Sequence, residues 1–389
     1  MTPARRIALL GATGSIGTQA LDVIRALRRG GYPLEVVALA AGRNVQALAE
    51  LAREFGVAYV GGAGPEEAAQ LQALLPEAEV VAGPEGLAHL AALPEVDLVL
   101  NAVVGAVGLK PTLAALEAGK TLALANKESL VVGGELVLAS RRRPDQILPV
   151  DSEHAALSEL LSRVPPSEVE RVWITASGGP FRGRRPEELQ AVTPEQALAH
   201  PVWAMGRRIS VDSATLVNKA FEVIEAHFLF GLPWERIGVL VHPQACVHAA
   251  VELLDGTVLV HLSPPDMRLP IQAALTHPTR LPAPARLSLS ALNLSFQELC
   301  PGEYPAFDVV LRAGVTGGTA PAVANAADEV LVEAFLRGEI PFPAIGEALG
   351  EILARHPPGP VRSVADVLSA DRWAREEVRA LVARRAPAY

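Results

Sequence analysis

The run HPVWAMGRRISVDSATLVNKAFE, residues 200–222, gathers ionisable and hydroxyl side chains at spacings that suit both an anion and a cation. It opens on His200 and a single aromatic, Trp203, beside Met205 and Gly206. A loop with one large aromatic suits a lid that excludes water, and equally a buried anchor. Two arginines and a strand-like Ile209-Ser210-Val211 follow. Asp212 or Ser213 then caps a helix, since a side-chain oxygen there takes up an orphan backbone N–H. On that helix Asn218 and Lys219 lie four and three residues before Glu222, on one face. Ser213, Asn218, Lys219 and helix-start N–H groups suit a phosphate. Glu222 is left for a cation or for acid–base work. The bland alternative is an amphipathic helix with a solvated Lys–Glu pair.

Asp151-Ser152-Glu153 is the second constellation. In extended chain, residues two apart point the same way, so both carboxylates face one spot. Two such carboxylates repel unless a cation or proton lies between them. Oxygen donors without cysteine suit Mg²⁺ or Mn²⁺, and Glu222 is the candidate third acid. The competing reading has Ser152 capping a helix that begins at His154, with the acids at its N-terminus. Ser177-Gly178-Gly179 offers either an anion cradle or a plain turn. Lysine occurs only at 110, 120, 127 and 219 in an otherwise arginine-using chain. Lys127 and Lys219 sit in polar motifs, and a lysine is a compact charge that can release its proton.

These side chains need a scaffold, and the N-terminal third supplies one. Residues 6–10 read as a buried strand, followed by Gly11-Ala12-Thr13-Gly14-Ser15-Ile16-Gly17 and a helix over 18–28. The glycines suit a tight turn, close approach of a pyrophosphate and close helix–strand packing, so a dinucleotide site is expected. A second strand over 34–41 ends at Gly42-Arg43-Asn44 with no acid for ribose hydroxyls. A cation there favours NADP over NAD. Strands are expected at 57–60, 79–82, 97–101, 121–125 and 146–150 with helices between, which is the pattern of a Rossmann-like, doubly wound parallel sheet. Its strands end at Asn101, at Asn126-Lys127-Glu128 and at Asp151, and ligands bind at such ends.

Further on, residues 171–176 read as another strand, and 237–241, 246–254 and 257–262 as strands of an antiparallel sheet, with Asp255-Gly256 as a hairpin turn. Met267 reads as helix-start packing or as facing the cofactor. Prolines from 264 to 305 mark a linker, and 319–337, 343–355 and 369–384 read as a small helical bundle. The expected division is an NADPH-binding domain over 1–150, a central α+β catalytic domain over 151–285, a linker over 286–312 and an α-helical domain over 313–389.

At 389 residues the chain exceeds one compact core. A net charge of −9 without a basic block argues against nucleic acid. Two cysteines fit a reducing, cytoplasmic setting. The most apolar region, 87–125, is broken by Pro94, Asp97, Asn101, Lys110 and Pro111, so no membrane span is expected.

Taken in order, GATGSIG, AAGRN, NAVVGAVGL, LANKESLV, PVDSEHAAL, TASGGPFR, the 200–222 run and PDMRLPI resemble the 1-deoxy-D-xylulose 5-phosphate reductoisomerase family over nearly the whole chain. The resemblance implies a homodimer that takes a sugar phosphate, with NADPH and Mg²⁺, Mn²⁺ or Co²⁺ as cofactors, in non-mevalonate isoprenoid biosynthesis. It implies metal ligation by Asp151, Glu153 and Glu222. It implies substrate contacts from Lys127, Ser152, Glu153, Ser177, His200, Trp203, Ser213, Asn218, Lys219 and Glu222. Among these, Ser177, Ser213, Asn218 and Lys219 surround the phosphate, while Lys127, Asp151, Glu153, His200 and Glu222 form the catalytic set. It implies NADPH contacts from Thr13, Gly14, Ser15, Ile16, Gly42, Arg43, Asn44, Asn126, Glu128 and Gly206. Glu153 and Lys127 both remain candidates for proton transfer. The rival readings are a simpler NADP-dependent sugar or hydroxy-acid dehydrogenase and a non-catalytic NADP(H)-sensing protein.

Overall fold

The computed structural model describes residues 4–203, 205–283 and 285–385. Its contacts fall into two units. The first holds the chain up to Ser129, Glu135–Ala155 and Asp266–Ala285; the second holds Leu130–Gly134, Ala156–Pro265 and the chain from Arg286.

The first unit is built on seven strands: β1 (Arg5–Leu10), β2 (Leu34–Ala40), β3 (Tyr59–Gly62), β4 (Glu79–Ala82), β5 (Leu98–Asn101), β6 (Thr121–Leu124) and β7 (Ile147–Pro149). The helices between them are α1 (Ser15–Arg29), α2 (Val45–Phe55), α3 (Pro65–Leu74), α4 (Gly83–Ala92), α5 (Leu109–Glu117) and α6 (Glu128–Ser140). The strand order is β4-β3-β2-β1-β5-β6-β7, parallel at every pairing. Continuous apolar runs such as Ile7-Ala8-Leu9-Leu10 are buried on both faces, which a parallel sheet covered by helices requires. The order reverses between β1 and β5, so a crevice opens at their carboxyl ends.

Two glycines make that crevice possible. Gly11 has φ +92°, and a Cβ there would lie 2.4 Å from the Ala102 carbonyl oxygen. A Cβ on Gly17 would lie 2.1 Å from the Gly11 oxygen, so α1 packs against the turn with no room for a side chain.

The second unit receives the chain within α7 (Ser152–Leu161) and continues through β8 (Val169–Ala176), α8 (Pro194–Leu198), α9 (Arg207–Thr215), α10 (Val217–Phe230), β9 (Ile237–Val241), β10 (Val247–Leu253) and β11 (Val258–Leu262). After α11 (Arg268–Thr276) come β12 (Gln297–Glu298), α12 (Pro305–Thr316), α13 (Ala320–Leu336), α14 (Ala344–Arg355) and α15 (Val364–Arg385). The sheet order is β11-β10-β8-β9-β12.

Four expectations need correction. The second sheet is mixed rather than antiparallel, because β8 and β9 are parallel. Sixty residues carrying α8, α9 and α10 separate them, and a long helical crossover returns the chain in the same direction. Residues 209–211 are helical, within α9. The expected linker runs into α12, because Pro305 stands at the start of that helix, where a missing N–H costs nothing. Residues 266–285, expected in the central domain, return to the first unit as α11. There Ile271, Ala274 and Leu275 join a core with Leu21 and Ile24 of α1, and Met267 packs against it. Each such buried Ile or Leu contributes about 1.5–3 kcal/mol. The Arg5 guanidinium donates to the carbonyls of Leu275 and His277, which ties α11 to the start of β1.

In the second unit α10 is buried along most of its length, with Phe221, Val223, Ile224 and Ala226 inside. Gly314 of α12 lets the two helices meet closely, since a Cβ there would lie 2.5 Å from Ile224 Cγ1. α13 is buried on nearly every side, as its Ala- and Val-rich sequence demands.

Candidate active site

The first unit assembles its polar groups at the carboxyl edge of the sheet. β1 delivers Thr13, Gly14, Ser15 and Ile16. Gly14 stands at the cap position of α1 without a side-chain cap, so helix N–H groups face the turn. This is the arrangement that holds a pyrophosphate. Past β2, Gly42, Arg43 and Asn44 are all exposed, and Asn44 caps α2 by accepting from the Ala47 N–H at 3.2 Å.

At the end of β5, Asn101 is fully buried and donates to the Gly108 carbonyl and the Thr112 hydroxyl, both at 2.9 Å. It acts on the loop rather than on a ligand. At the end of β6, the Asn126 amide donates to the carbonyls of Val103 at 2.7 Å and Gly105 at 3.1 Å, and to Glu128 at 3.0 Å. The Gly105 N–H donates to Glu128 at 3.1 Å. Asn126 and Glu128 therefore fix the loop that follows Asn101.

Asp151 follows β7, and Lys127 Nζ lies 2.6 Å from its Oδ2. The expected extended geometry of Asp151-Ser152-Glu153 is corrected: α7 begins at Ser152, with Glu153 in its first turn. Asp151 lies just before the helix, its carbonyl accepting from the Ala155 N–H at 2.8 Å. The convergence survives by a different route, because oxygens of Asp151 and Glu153 lie within 4.8 Å of one another. The Ser152 hydroxyl donates to Glu153 Oε2 at 2.7 Å. His154 is buried, with Nδ1 3.9 Å from Asp151 Oδ2.

In the second unit, β8 ends in the turn at Ser177. His200 Nδ1 accepts the N–H groups of Val202 at 3.2 Å and Trp203 at 2.9 Å. A nitrogen that accepts carries no proton, so the ring proton is on Nε2, and it donates to Ser177 Oγ at 2.9 Å. Burial lowers the His200 pKa from its ordinary value, in keeping with a neutral ring. Ser177 Oγ also accepts from the Gly179 N–H at 3.2 Å, so its own proton is directed elsewhere.

Gly179, with φ +66°, leaves no room for a side chain, because a Cβ would lie 2.6 Å from the Ser213 carbonyl oxygen. The turn thus rests on the last turn of α9. Tyr304, which the sequence reading missed, donates its hydroxyl to the Gly178 carbonyl at 3.1 Å. No sequence signal links two residues so far apart in the chain.

Asp212 and Ser213 do not cap a helix start, since both lie inside α9. The helix that starts here is α10, after Leu216 in a left-handed conformation at φ +58°. Asn218 and Lys219 occupy its first turn, and both donate to the Glu222 carboxylate. Lys219 and Glu222 are buried, with side chains 5% and 3% exposed. Trp203 is half-buried, its ring 6.4 Å from that of His248. Burial, the largest cause, together with the charge of His261 pushes the His248 pKa down to about 4. Gly206 stands at the cap position of α9, in the second unit.

Comparison with known proteins settles the family. Residues 7–134 match the description 1-deoxy-D-xylulose 5-phosphate reductoisomerase, and residues 147–230 and 262–377 match the two C-terminal domains of that family. The protein of that name from Symbiobacterium thermophilum is 51% identical over 384 residues, covering 96% of this chain and 97% of the other. This chain belongs to the 1-deoxy-D-xylulose 5-phosphate reductoisomerase family. The reductoisomerase of Kitasatospora griseola is 50% identical over 96% of this chain and 99% of its own. Among solved structures, the reductoisomerase from Zymomonas mobilis in complex with NADPH is 40% identical, with TM-score 0.88 over 97% of this chain and 99% of that one. A reductoisomerase in complex with NADPH, fosmidomycin and magnesium is 33% identical, with TM-score 0.88 over 98% and 100%. The Rossmann-like sheet, the second sheet and the C-terminal helices are those of a reductoisomerase, and the chain is an oxidoreductase of that family.

Proposed function

We propose that this chain converts 1-deoxy-D-xylulose 5-phosphate to 2-C-methyl-D-erythritol 4-phosphate, with NADPH and Mg²⁺ or Mn²⁺ as cofactors. The observation that carries this beyond family membership is the Lys127–Asp151–Glu153 group, at the same sheet edge as the dinucleotide turn.

Asp151, Glu153 and Glu222 would hold the cation. The donor set fits, because it is all carboxylate oxygen, the choice of a hard divalent ion. Asp151 and Glu222 each have a lysine as counter-charge, Lys127 and Lys219. Such acids are poised to exchange one positive partner for another. When bound, the cation polarises a carbonyl and acidifies a coordinated hydroxyl, and NADPH supplies hydride.

The chain's own residues do the rest. Ser177, Ser213, Asn218 and Lys219 bind the substrate phosphate, and that remote grip orients the reacting carbons. His200 directs the Ser177 hydroxyl by donating to its oxygen. Lys127, against Asp151, and Glu153 are the groups able to move a proton at the substrate hydroxyl. Trp203, on the stretch between α8 and α9, covers the substrate. Thr13, Gly14, Ser15, Ile16, Gly42, Arg43, Asn44, Asn126, Glu128 and Gly206 take NADPH, with Arg43 near the 2′-phosphate.

The three-part division, with residues 266–285 counted in the NADPH-binding part, a homodimer and a cytoplasmic setting complete the proposal. β11 ends its sheet, and its Val258 and Val260 are exposed, an edge that invites a second chain. Both cysteines are unbridged, which suits a reducing compartment. No helix among the described residues is long and apolar enough to cross a membrane.

The test follows NADPH absorbance with 1-deoxy-D-xylulose 5-phosphate, with and without Mg²⁺ or Mn²⁺. Metal-dependent oxidation of NADPH with formation of the branched product is expected. Turnover that persists after chelation would return the simpler dehydrogenase. Sedimentation of Val258→Lys against the parent checks the dimer, which that charge should split.

A further inference from the structure

α9 is held on two sides. On one, the turn at 177–179 lies against Ser213 and Ala214. On another, Arg208 reaches α13: it donates to Asn325 Oδ1 at 2.8 Å, to Asp328 Oδ2 at 3.2 Å and to Glu329 Oε1 at 2.9 Å. Its Nε lies 3.4 Å from Asp212, one turn along α9. The clamp continues outward, since Arg375 of α15 pairs with Glu329 at 2.5 Å and with Asp371 at 2.6 Å.

Only an arginine fits this role. Its planar fork serves three acceptors on one helix face at once, where a lysine ammonium would serve them in turn. Asp328 is fully buried, so its pairing with Arg208 is little screened by salt. The turn at 177–179 meets α9 at Ser213 and Ala214, the clamp at Arg208 and Asp212. The effect of the clamp on the turn comes through the helix: Arg208 and Asp212 face α13, and Ser213 is the next residue round. A small rotation of α9 would move Ser213 relative to Ser177.

We propose that Arg208 is a positioning residue for the substrate phosphate, fixing the rotation of α9 on α13 and thereby the place of Ser213 beside Ser177. This rests on the reading of Ser177 and Ser213 as phosphate ligands.

The experiment compares Arg208→Met, Arg208→Lys, Glu329→Gln and Ser213→Ala by steady-state kinetics with 1-deoxy-D-xylulose 5-phosphate and NADPH. Circular dichroism checks that each variant is folded. Arg208→Met should raise the KM for the sugar phosphate tenfold or more while leaving the KM for NADPH within twofold and kcat within about threefold. Arg208→Lys should fall between it and the parent. A merely structural role would lower the folded fraction and leave KM alone. The proposal is overturned if folded Arg208→Met keeps the parent's KM within twofold, or if both KM values rise together. Should Arg208→Met fail to fold, Glu329→Gln decides, with a threefold rise in the sugar-phosphate KM expected and an unchanged value overturning. Ser213→Ala separates the two levels. If it leaves KM unchanged, the phosphate reading fails and the inference with it. If it raises KM while folded Arg208→Met does not, only the inference falls.

Discussion

Lys219 and Glu222 are both taken out of water, so each depends on the charge of the other. Breaking a buried pair from one side costs about 3–5 kcal/mol. Lys219→Met should therefore destabilise the protein by that order, read by chemical denaturation. Glu222→Gln leaves the Lys219 ammonium buried without its counter-charge, so it should cost stability of the same order. In the fraction that folds it should also weaken Mg²⁺ activation and lower turnover by roughly two to three orders of magnitude, the scale of several kcal/mol of lost Lewis-acid assistance. A Mg²⁺ titration unchanged in Glu222→Gln would remove Glu222 from the ligand set. His200 carries a second expectation at this scale. Protonating Nδ1 would displace two backbone N–H donors, and burial already lowers the pKa. Below about pH 6.5 the unfolded chain takes up a proton that the folded ring resists. Stability linked to this ring is therefore level above that pH and falls as acid is added. An NMR titration of the ring should place its midpoint below the free-histidine value; a midpoint at or above it would contradict the tautomer assigned here.

The β1–α1 element separates packing from binding at two neighbouring glycines. A Cβ on Gly17 meets backbone at 2.1 Å, whereas one on Gly14 meets only the Gly11 oxygen at 3.3 Å. Gly17→Ala should cost about 1–3 kcal/mol by overpacking. Gly14→Ala should leave the fold nearly intact and weaken NADPH, because the methyl group stands where a pyrophosphate approaches α1. Denaturation and NADPH fluorescence titration together check the split; equal stability losses would refute it. This element was legible in sequence because its determinants are local: an apolar run, three spaced glycines, a helix. α9 was not. Ile209-Ser210-Val211 has β propensity, but Arg208 and Asp212 are four apart and bind one face of a distant helix, so tertiary contacts override the local preference. The mixed second sheet was hidden for a related reason. Hairpin turns are written in adjacent residues, whereas the direction of β9 depends on sixty residues of crossover. At Asp151 and Glu153 the convergence was anticipated, but through a strand geometry where a helix start does the work.

Across the whole molecule, the response to pH sums groups that pull in opposite senses. Asp328, with no exposure, is raised from 3.8 to about 6, chiefly by burial, with Arg208 opposing. Between those values the folded protein binds more protons than the unfolded chain, so stability falls as pH rises through this window and then levels off. His248 behaves oppositely. Its pKa drops from 6.5 to about 4, so the unfolded chain binds more protons and stability rises with pH over that span. The two windows overlap, so the contributions oppose each other over the same pH range. Removing one should expose the other. Asp328→Asn keeps an acceptor for Arg208 but no longer titrates, so between pH 6.5 and 4 it should lose more stability than the parent does. His248→Gln should lose less than the parent over the same range. Urea denaturation at half-unit pH steps measures both. Parallel curves for the parent and Asp328→Asn would mean that the buried carboxyl does not hold its proton into this range, and that Arg208 keeps it ionised throughout.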